Sequence, residues 1–362
     1  MDIRCVINAI EAFAPRALQE SYDNSGLQAG DVTKDCKGVL LTLDVSEQTV
    51  EEAASLGCNL IISHHPLLFK GIKTLTPASS TGRILISAVK NDIAIYSAHT
   101  NLDNARRGVS ARMAAKLGMT DVEVLQPQRS TLLKLVVFAP STHSEAVKQA
   151  MTEAGAGRIG DYDSCTYTME GTGSFRALSG ARPFVGQEGS IHHEPETRIE
   201  AILHRSLLGK VTAAMLKAHP YEEPAYDIIP LENADRYAGS GAVGNIGETT
   251  AGEFLENLKS VFGCPAVRYC GELNRRISRV ALCGGSGAFL IGDALAAGAD
   301  IYVTGDLKYH DFTENAGKIM LADIGHFESE SCTKEIFHDI LSAEFPSLRI
   351  ELAKETNTIK LI

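Results

Sequence analysis

At 362 residues the chain exceeds one typical core and divides into two or three domains. Its 44% hydrophobic and 22% charged residues exclude pervasive disorder. With 45 acidic against 34 basic residues the net charge is −11, and no basic run exceeds the pairs Arg106-Arg107 and Arg275-Arg276, so nucleic acid is disfavoured as a partner.

The start of the chain places Ile3, Val6, Ile7 and Ile10 at helical spacing among acidic residues. This predicts an amphipathic helix, and neither a signal peptide nor a membrane span. Apolar runs at 38–44, 59–63 and 93–96 predict buried strands, alternating with helices over 47–56, 81–91 and 108–117. Such alternation argues for a mostly parallel sheet covered on both faces. The middle reads differently: a strand at 131–138, a helix at 144–154, strands at 162–168 and 198–203, a helix at 211–218 and a strand at 225–229. That is the split βαβ, ferredoxin-like order. Pro127 and the glycine-rich stretch 233–247 read as hinges. The last third returns to α/β style, with strands at 277–283, 301–304 and 319–323 and a helix at 288–297. Eight scattered cysteines without a C-x-x-C pair read as reduced thiols of a cytoplasmic protein.

Three strand ends carry chemistry. Ser63-His64-His65-Pro66 sets two imidazoles directly after a strand. Adjacent strand residues face opposite ways, so one pocket receives both only if the backbone turns there; Pro66 makes a turn plausible, and two surface histidines are the alternative. Ala98-His99-Thr100-Asn101-Leu102-Asp103 adds an imidazole and a carboxylate after the next strand, with Asp103 equally suited to capping a helix. In Gly325-His326-Phe327-Glu328-Ser329-Glu330, a helix opened by Gly325 would put His326 and Glu330 on one face at i, i+4. Three imidazoles (His64, His65, His326), two carboxylates (Asp103, Glu330) and no thiolate suit Zn, Fe, Mn, Co or Ni. Five ligands exceed one open tetrahedral zinc and fit two divalent transition-metal ions sharing a bridging carboxylate. Asp306 and His310 are further candidates for orienting a ligand imidazole. Gly284-Gly285-Ser286-Gly287 reads as a tight strand-to-helix turn more than a phosphate cradle. Ile191-His192-His193-Glu194 lies among turn-forming residues and reads as exposed.

These loops, taken in order with Tyr22-Asp23-Asn24-Ser25-Gly26 and Thr304-Gly305-Asp306, closely resemble the Nif-three-like dinuclear metal centre hexameric proteins, many of which carry the name GTP cyclohydrolase type 1 type 2 homolog. The middle resembles the PII-like (CutA-like) insert of longer members, through Gly160-Asp161-Tyr162, Gly171-Thr172-Gly173-Ser174-Phe175 and His219-Pro220-Tyr221-Glu222-Glu223-Pro224-Ala225. The resemblance implies two intertwined three-layer α/β halves (1–125 and 233–362) with a ferredoxin-like α+β domain inserted over 126–232. It implies a homohexameric toroid and two metals (Zn, Fe or Mn) held by His64, His65, Asp103, His326 and Glu330, with His99 nearby. Two functions are expected from these observations. One is a metal-dependent hydrolase of a nucleotide-like substrate, with His99 as the candidate for proton transfer. The other is a non-catalytic metal-binding regulatory or scaffold protein with a sensing insert.

Overall fold

The computed structural model describes residues 1–360. The first stretch holds α1 (Ile3–Phe13), β1 (Gly26–Ala29), β2 (Val39–Thr42), α2 (Glu47–Leu56), β3 (Leu60–Ser63), α3 (Ser80–Lys90), β4 (Ala94–Ser97), α4 (Thr100–Asp103), α5 (Val109–Lys116) and β5 (Thr120–Gln128). The middle holds β6 (Leu132–Pro140), α6 (Ser144–Glu153), β7 (Thr166–Arg176), β8 (Ile191–His204), α7 (Leu208–Ala218) and β9 (Tyr226–Pro230). The last holds β10 (Asp235–Thr250), α8 (Ala251–Phe262), β11 (Arg268–Cys270), β12 (Arg276–Ser286), α9 (Ile291–Ala296), β13 (Ile301–Gly305), α10 (Tyr309–Asn315), β14 (Met320–Asp323), α11 (His326–Glu330), α12 (Thr333–Glu344) and β15 (Ile350–Leu352). Residues 1–127 with those from 236 on form one compact unit, and 128–235 form a second.

In the first unit, helix ends are set by their caps. Asp2 accepts from the Cys5 amide, while Ser46 with Thr49 and Thr250 with Glu253 close reciprocal capping boxes that satisfy orphan amides. Gly57 and Gly263 end α2 and α8 in the left-handed conformation. Two sheets result, ordered β1-β4-β3-β2-β15 and β11-β14-β13-β12-β10-β5. Strands β4, β3, β2 and β15 run parallel, as do β12, β13 and β14. Each sheet is buried on both faces, which is why β2, β3 and β13 are continuous apolar runs rather than alternating ones.

One face of each sheet borders a single shared core, filled by α1, α5, α8 and α12 through residues such as Ile10, Met113, Leu258 and Phe337. The opposite faces are covered by α2 and α3 on the first sheet and by α9 on the second. At about 1.5–3 kcal/mol per buried aliphatic or aromatic side chain, this shared layer binds the halves together. The halves also exchange strands: β15 completes the first sheet, and β5 completes the second.

The second unit is a four-stranded antiparallel sheet ordered β7-β8-β6-β9. Alternate residues Leu133, Leu135 and Val137 of β6 pack on Val147 and Met151 of α6 and on Val211 and Met215 of α7. This is the ferredoxin-like arrangement.

Four readings of the sequence change in detail. Both expected hinges lie where the two units divide, after 127 and after 235, but they are strand rather than loop: the stretch 233–247 is most of the 16-residue strand β10, paired with β12, and Pro127 lies inside β5. The strand expected at 162–168 starts at Thr166 and runs to Arg176. Finally, His192-His193 sits within the long strand β8, not among turns. Glycine explains the first error: a Cβ at Gly239 would lie 2.1 Å from the Gln126 carbonyl oxygen, so close approach of β5 requires the composition that otherwise signals a loop. No described helix is long and apolar enough to cross a membrane.

Candidate metal centre

Eight chemically notable side chains of the first unit lie at the carboxyl ends of parallel strands, where open α/β sheets place their ligands. Asp44 follows β2, His64 and His65 follow β3, and His99 and Asp103 follow β4. From the other sheet, Asp306 follows β13, and His326 and Glu330 follow β14. Gly325, at φ +90°, turns the chain into α11 and so sets His326 and Glu330 one helical turn apart.

After β3 the strand period breaks. The His64 and His65 amides donate to consecutive carbonyls of one neighbouring segment, Thr42 (3.2 Å) and Leu43 (3.0 Å). A regular strand points successive amides to opposite sides. The turn brings both rings into one space, with centroids 5.1 Å apart.

Four imidazoles are tied back through Nδ1. His64 Nδ1 donates to the Ala98 carbonyl (2.9 Å), His65 to Asp44 (2.8 Å), His99 to Asp23 (2.8 Å) and His326 to Asp306 (2.7 Å). A carbonyl or carboxylate oxygen can only accept, so each neutral ring turns an Nε2 lone pair inward. The Nε2 atoms of His64, His65 and His326 surround Glu330. Its Oε2 is 2.9 Å from His65 Nε2 and 3.0 Å from His326 Nε2, and its Oε1 is 3.6 Å from His64 Nε2. The His65 and His326 Nε2 atoms are 3.2 Å apart. Asp103 Oδ1 lies 3.6 Å from His64 Nε2, and these two buried atoms have no hydrogen-bond partner.

Lone pairs and carboxylate oxygens packed this closely require positive charge among them. Protons supply part of it. Burial alone would lower the His65 pKa, but hydrogen bonds to Asp44 and Glu330 push it up to about 10. The Glu330 hydrogen bond, with Asp306 and against burial, pushes His326 up to about 9. Burial works against Glu330, yet the surrounding imidazoles hold it well below the usual carboxylate range. Burial raises Asp103.

A divalent cation would serve the same charge balance and also engage the two orphaned atoms, so the residues present fit a metal. Three sets of ligand atoms lie mutually within 4.8 Å: His65, His326 and Glu330; His64, Asp103 and Glu330; and His64, His65 and His99. Glu330 belongs to two of them. Glycine makes its place, since a Cβ on Gly285 would sit 2.1 Å from Glu330 Oε1. The 284–287 run thus gives room to a carboxylate rather than cradling a phosphate.

Of the sequence candidates, His64, His65, His99, Asp103, His326 and Glu330 all converge, and Asp306 joins them through His326. His310 does not; it is exposed on α10 with its ring against Tyr309. Sequence reasoning missed the roles of Asp44 and Asp23, each far along the chain from the imidazole it orients. For Asp44 a signal existed, because it too follows a parallel strand of the same sheet. A cavity of about 750 Å³ opens on His65 and His326 and is also lined by Arg268, Lys354 and Asn357.

An interleaved α/β protein with a strand-end histidine–carboxylate cluster fit for metal is the class that fold and site define. The chain belongs to the Duf34/NIF3 (NGG1p interacting factor 3) family, whose model matches residues 1–358. It is 43% identical over 307 residues to a Halalkalibacterium halodurans protein, covering 84% of this chain and 82% of that one. It is 33% identical over 361 residues to a Staphylococcus aureus protein, covering 99% and 98%. Both relatives bear the name GTP cyclohydrolase 1 type 2 homolog. The crystal structure of a Bacillus cereus protein related to NIF3 superposes with a TM-score of 0.87 at 38% identity, covering 100% of this chain and 99% of that one.

Proposed function

We propose that His64, His65, Asp103, His326 and Glu330 would hold two divalent transition-metal ions, Glu330 belonging to both sets of ligands, and that the centre hydrolyses a nucleotide-like substrate. The observation that carries this reading is the common orientation of the imidazoles: every Nδ1 is spent on an outer acceptor, and the Nε2 atoms of His64, His65 and His326 converge on one shared carboxylate. Such outer hydrogen bonds are the usual accompaniment of metal-ligating histidine. Bound divalent metals supply a Lewis acid and lower the pKa of water enough for hydrolysis near neutrality.

The chain's own residues divide the remaining work. Burial opposes ionisation of Asp23, but hydrogen bonds from His99 and Thr100 outweigh it and keep the carboxylate ionised. Asp23 therefore fixes His99 with Nδ1–H outward and Nε2 toward His64 and His65, and stabilises the ring when it gains a proton. His99 is the group to pass a proton to the leaving atom. The adjoining cavity carries Arg268 and Lys354, but Arg268 is paired with Asp323, and Asp44, Asp306, Glu328 and Glu355 line it too, so an anionic substrate would draw its attracting charge from the bound metals. The relatives' name suggests the purine ring of GTP as the bond system attacked, although a shared fold leaves the substrate open.

The test is turnover of GTP and simple phosphoesters by protein loaded anaerobically with Zn, Mn or Fe(II), with elemental analysis alongside. Metal-dependent turnover is expected. Metal-loaded protein that turns over none of these substrates leaves the non-catalytic metal-binding reading; protein that takes up no metal sinks both. His99→Gln should lower kcat by about 100-fold with both ions retained. Loss of metal in step with activity would instead make His99 a structural support.

A further inference from the structure

The metal centre leaves unused two stretches of the second unit: 171–175 on β7 and 219–225 after α7. They meet on the sheet face opposite the helices. There they wall a cavity of about 310 Å³ with the rings of Phe138, Phe175, Phe184 and Tyr221. Phe175 and Tyr221 stand edge to face at 5.9 Å, and Phe184 is 6.3 Å from Tyr221. The pocket is held in place from behind. Buried His219 donates Nε2–H to the Phe138 carbonyl (2.9 Å) and accepts the Tyr221 amide at Nδ1 (3.0 Å), while the Arg182 amide donates to Glu222 (2.8 Å) and ties the two covering loops together.

The charged groups of the lining are of one sign. Glu196, Glu222 and Glu223 line the cavity, and no lysine or arginine does. Arg198, over the Phe138 ring, is paired with Glu200 at 2.8 Å and stays outside the lining. Glu196 accepts the Tyr221 hydroxyl at 3.2 Å and rests against Gly173, where a Cβ would lie 2.1 Å from its Oε2. The glycine therefore permits the carboxylate to lie across the floor of an aromatic box.

Aromatic faces with a carboxylate attract cations, and they suit ammonium groups whose hydrogens are replaced by methyl. A primary ammonium brings three N–H donors that need acceptors; here one Glu196 oxygen already receives Tyr221. At water's share of roughly 30 Å³, the space holds about ten non-hydrogen atoms. We infer that this pocket of the inserted unit binds a small methylated ammonium compound. The inference is independent of the metal centre.

The test uses the full-length protein, with choline as the probe and 3,3-dimethyl-1-butanol as its uncharged isostere, followed by calorimetry and saturation-transfer NMR. Choline should bind at least about tenfold more tightly than the neutral alcohol. Glu196→Gln should remove that preference while leaving alcohol binding unchanged, and Gly173→Ala should weaken choline by displacing the carboxylate. Circular dichroism checks folding. Should either variant fail to fold, Phe184→Ala removes one wall from a half-exposed loop and should also weaken choline. Equal binding of the two probes, or no saturable choline binding up to about 10 mM, overturns the inference.

Discussion

Two pairs of adjacent histidines, His64-His65 and His192-His193, look alike on paper and meet opposite fates. The second pair lies inside β8, where His192 opposes Phe175 and His193 opposes Ser174 across the ladder with β7. Period two sends the two rings to opposite faces; His192 pairs with its own strand neighbour Glu194 at 2.8 Å, and His193 is exposed. The first pair comes just after β3, where consecutive amides turn onto consecutive carbonyls and both rings face one space. Adjacency of histidines is thus a poor guide to a metal site. What matters is whether the backbone period is broken beneath them and whether other strand ends deliver partners to the same point.

This contrast can be broken experimentally. The largest effect is expected from Glu330→Gln, which removes the carboxylate shared by two ligand sets: metal at both positions should be lost on elemental analysis while the protein stays folded. Retention of both ions would refute the sharing of Glu330 between the two sets. Next comes pH. His65 and His326, raised from 6.5 to about 10 and about 9, hold protons at pH 7 until a metal displaces them. Uptake at pH 7 should therefore release about two protons, and apparent affinity should fall as pH falls, by up to about 100-fold per unit. Calorimetry in buffers of different ionisation heat measures this, and heats independent of buffer would contradict it. Asp44→Asn, which leaves every ligand in place but weakens the hold on His65, should cost about 10–100-fold in metal affinity by chelator competition. The smallest effect belongs to the other pair. Replacing His192 and His193 together by Ala should leave metal content unchanged and shift unfolding free energy by no more than about 0.5 kcal/mol each in urea titration; a drop in metal content would erase the contrast.

Much of this was legible in the sequence because the signals are local. The amphipathic spacing of Ile3, Val6, Ile7 and Ile10, the apolar runs of β2, β3 and β13, and the placing of His64, His326 and Glu330 just past strands all lie within a few residues. What escaped was non-local. Asp23 reaches His99 across 76 residues and Asp44 reaches His65 across 21, and no spacing rule joins them. Strand β10 escaped for another reason: its glycines at 239, 241 and 244 admit neighbouring β5 atoms together with the Met119 and Leu290 side chains, and so replace the apolar pattern by which strands are usually recognised.

The strand exchange has a consequence for biosynthesis. The first sheet is finished by β15, made long after its neighbour β2, and Glu355 then binds the Thr42 hydroxyl across 313 residues. Until that moment β2 presents an open edge, and the nascent amino-terminal half cannot close. Contacts this distant in sequence fold slowly and leave unpaired edges prone to aggregation. The inserted unit has no such debt: β6 to β9 are contiguous in the chain, so it can fold while its host is still incomplete. Chaperone demand during synthesis should accordingly fall on the interleaved unit alone.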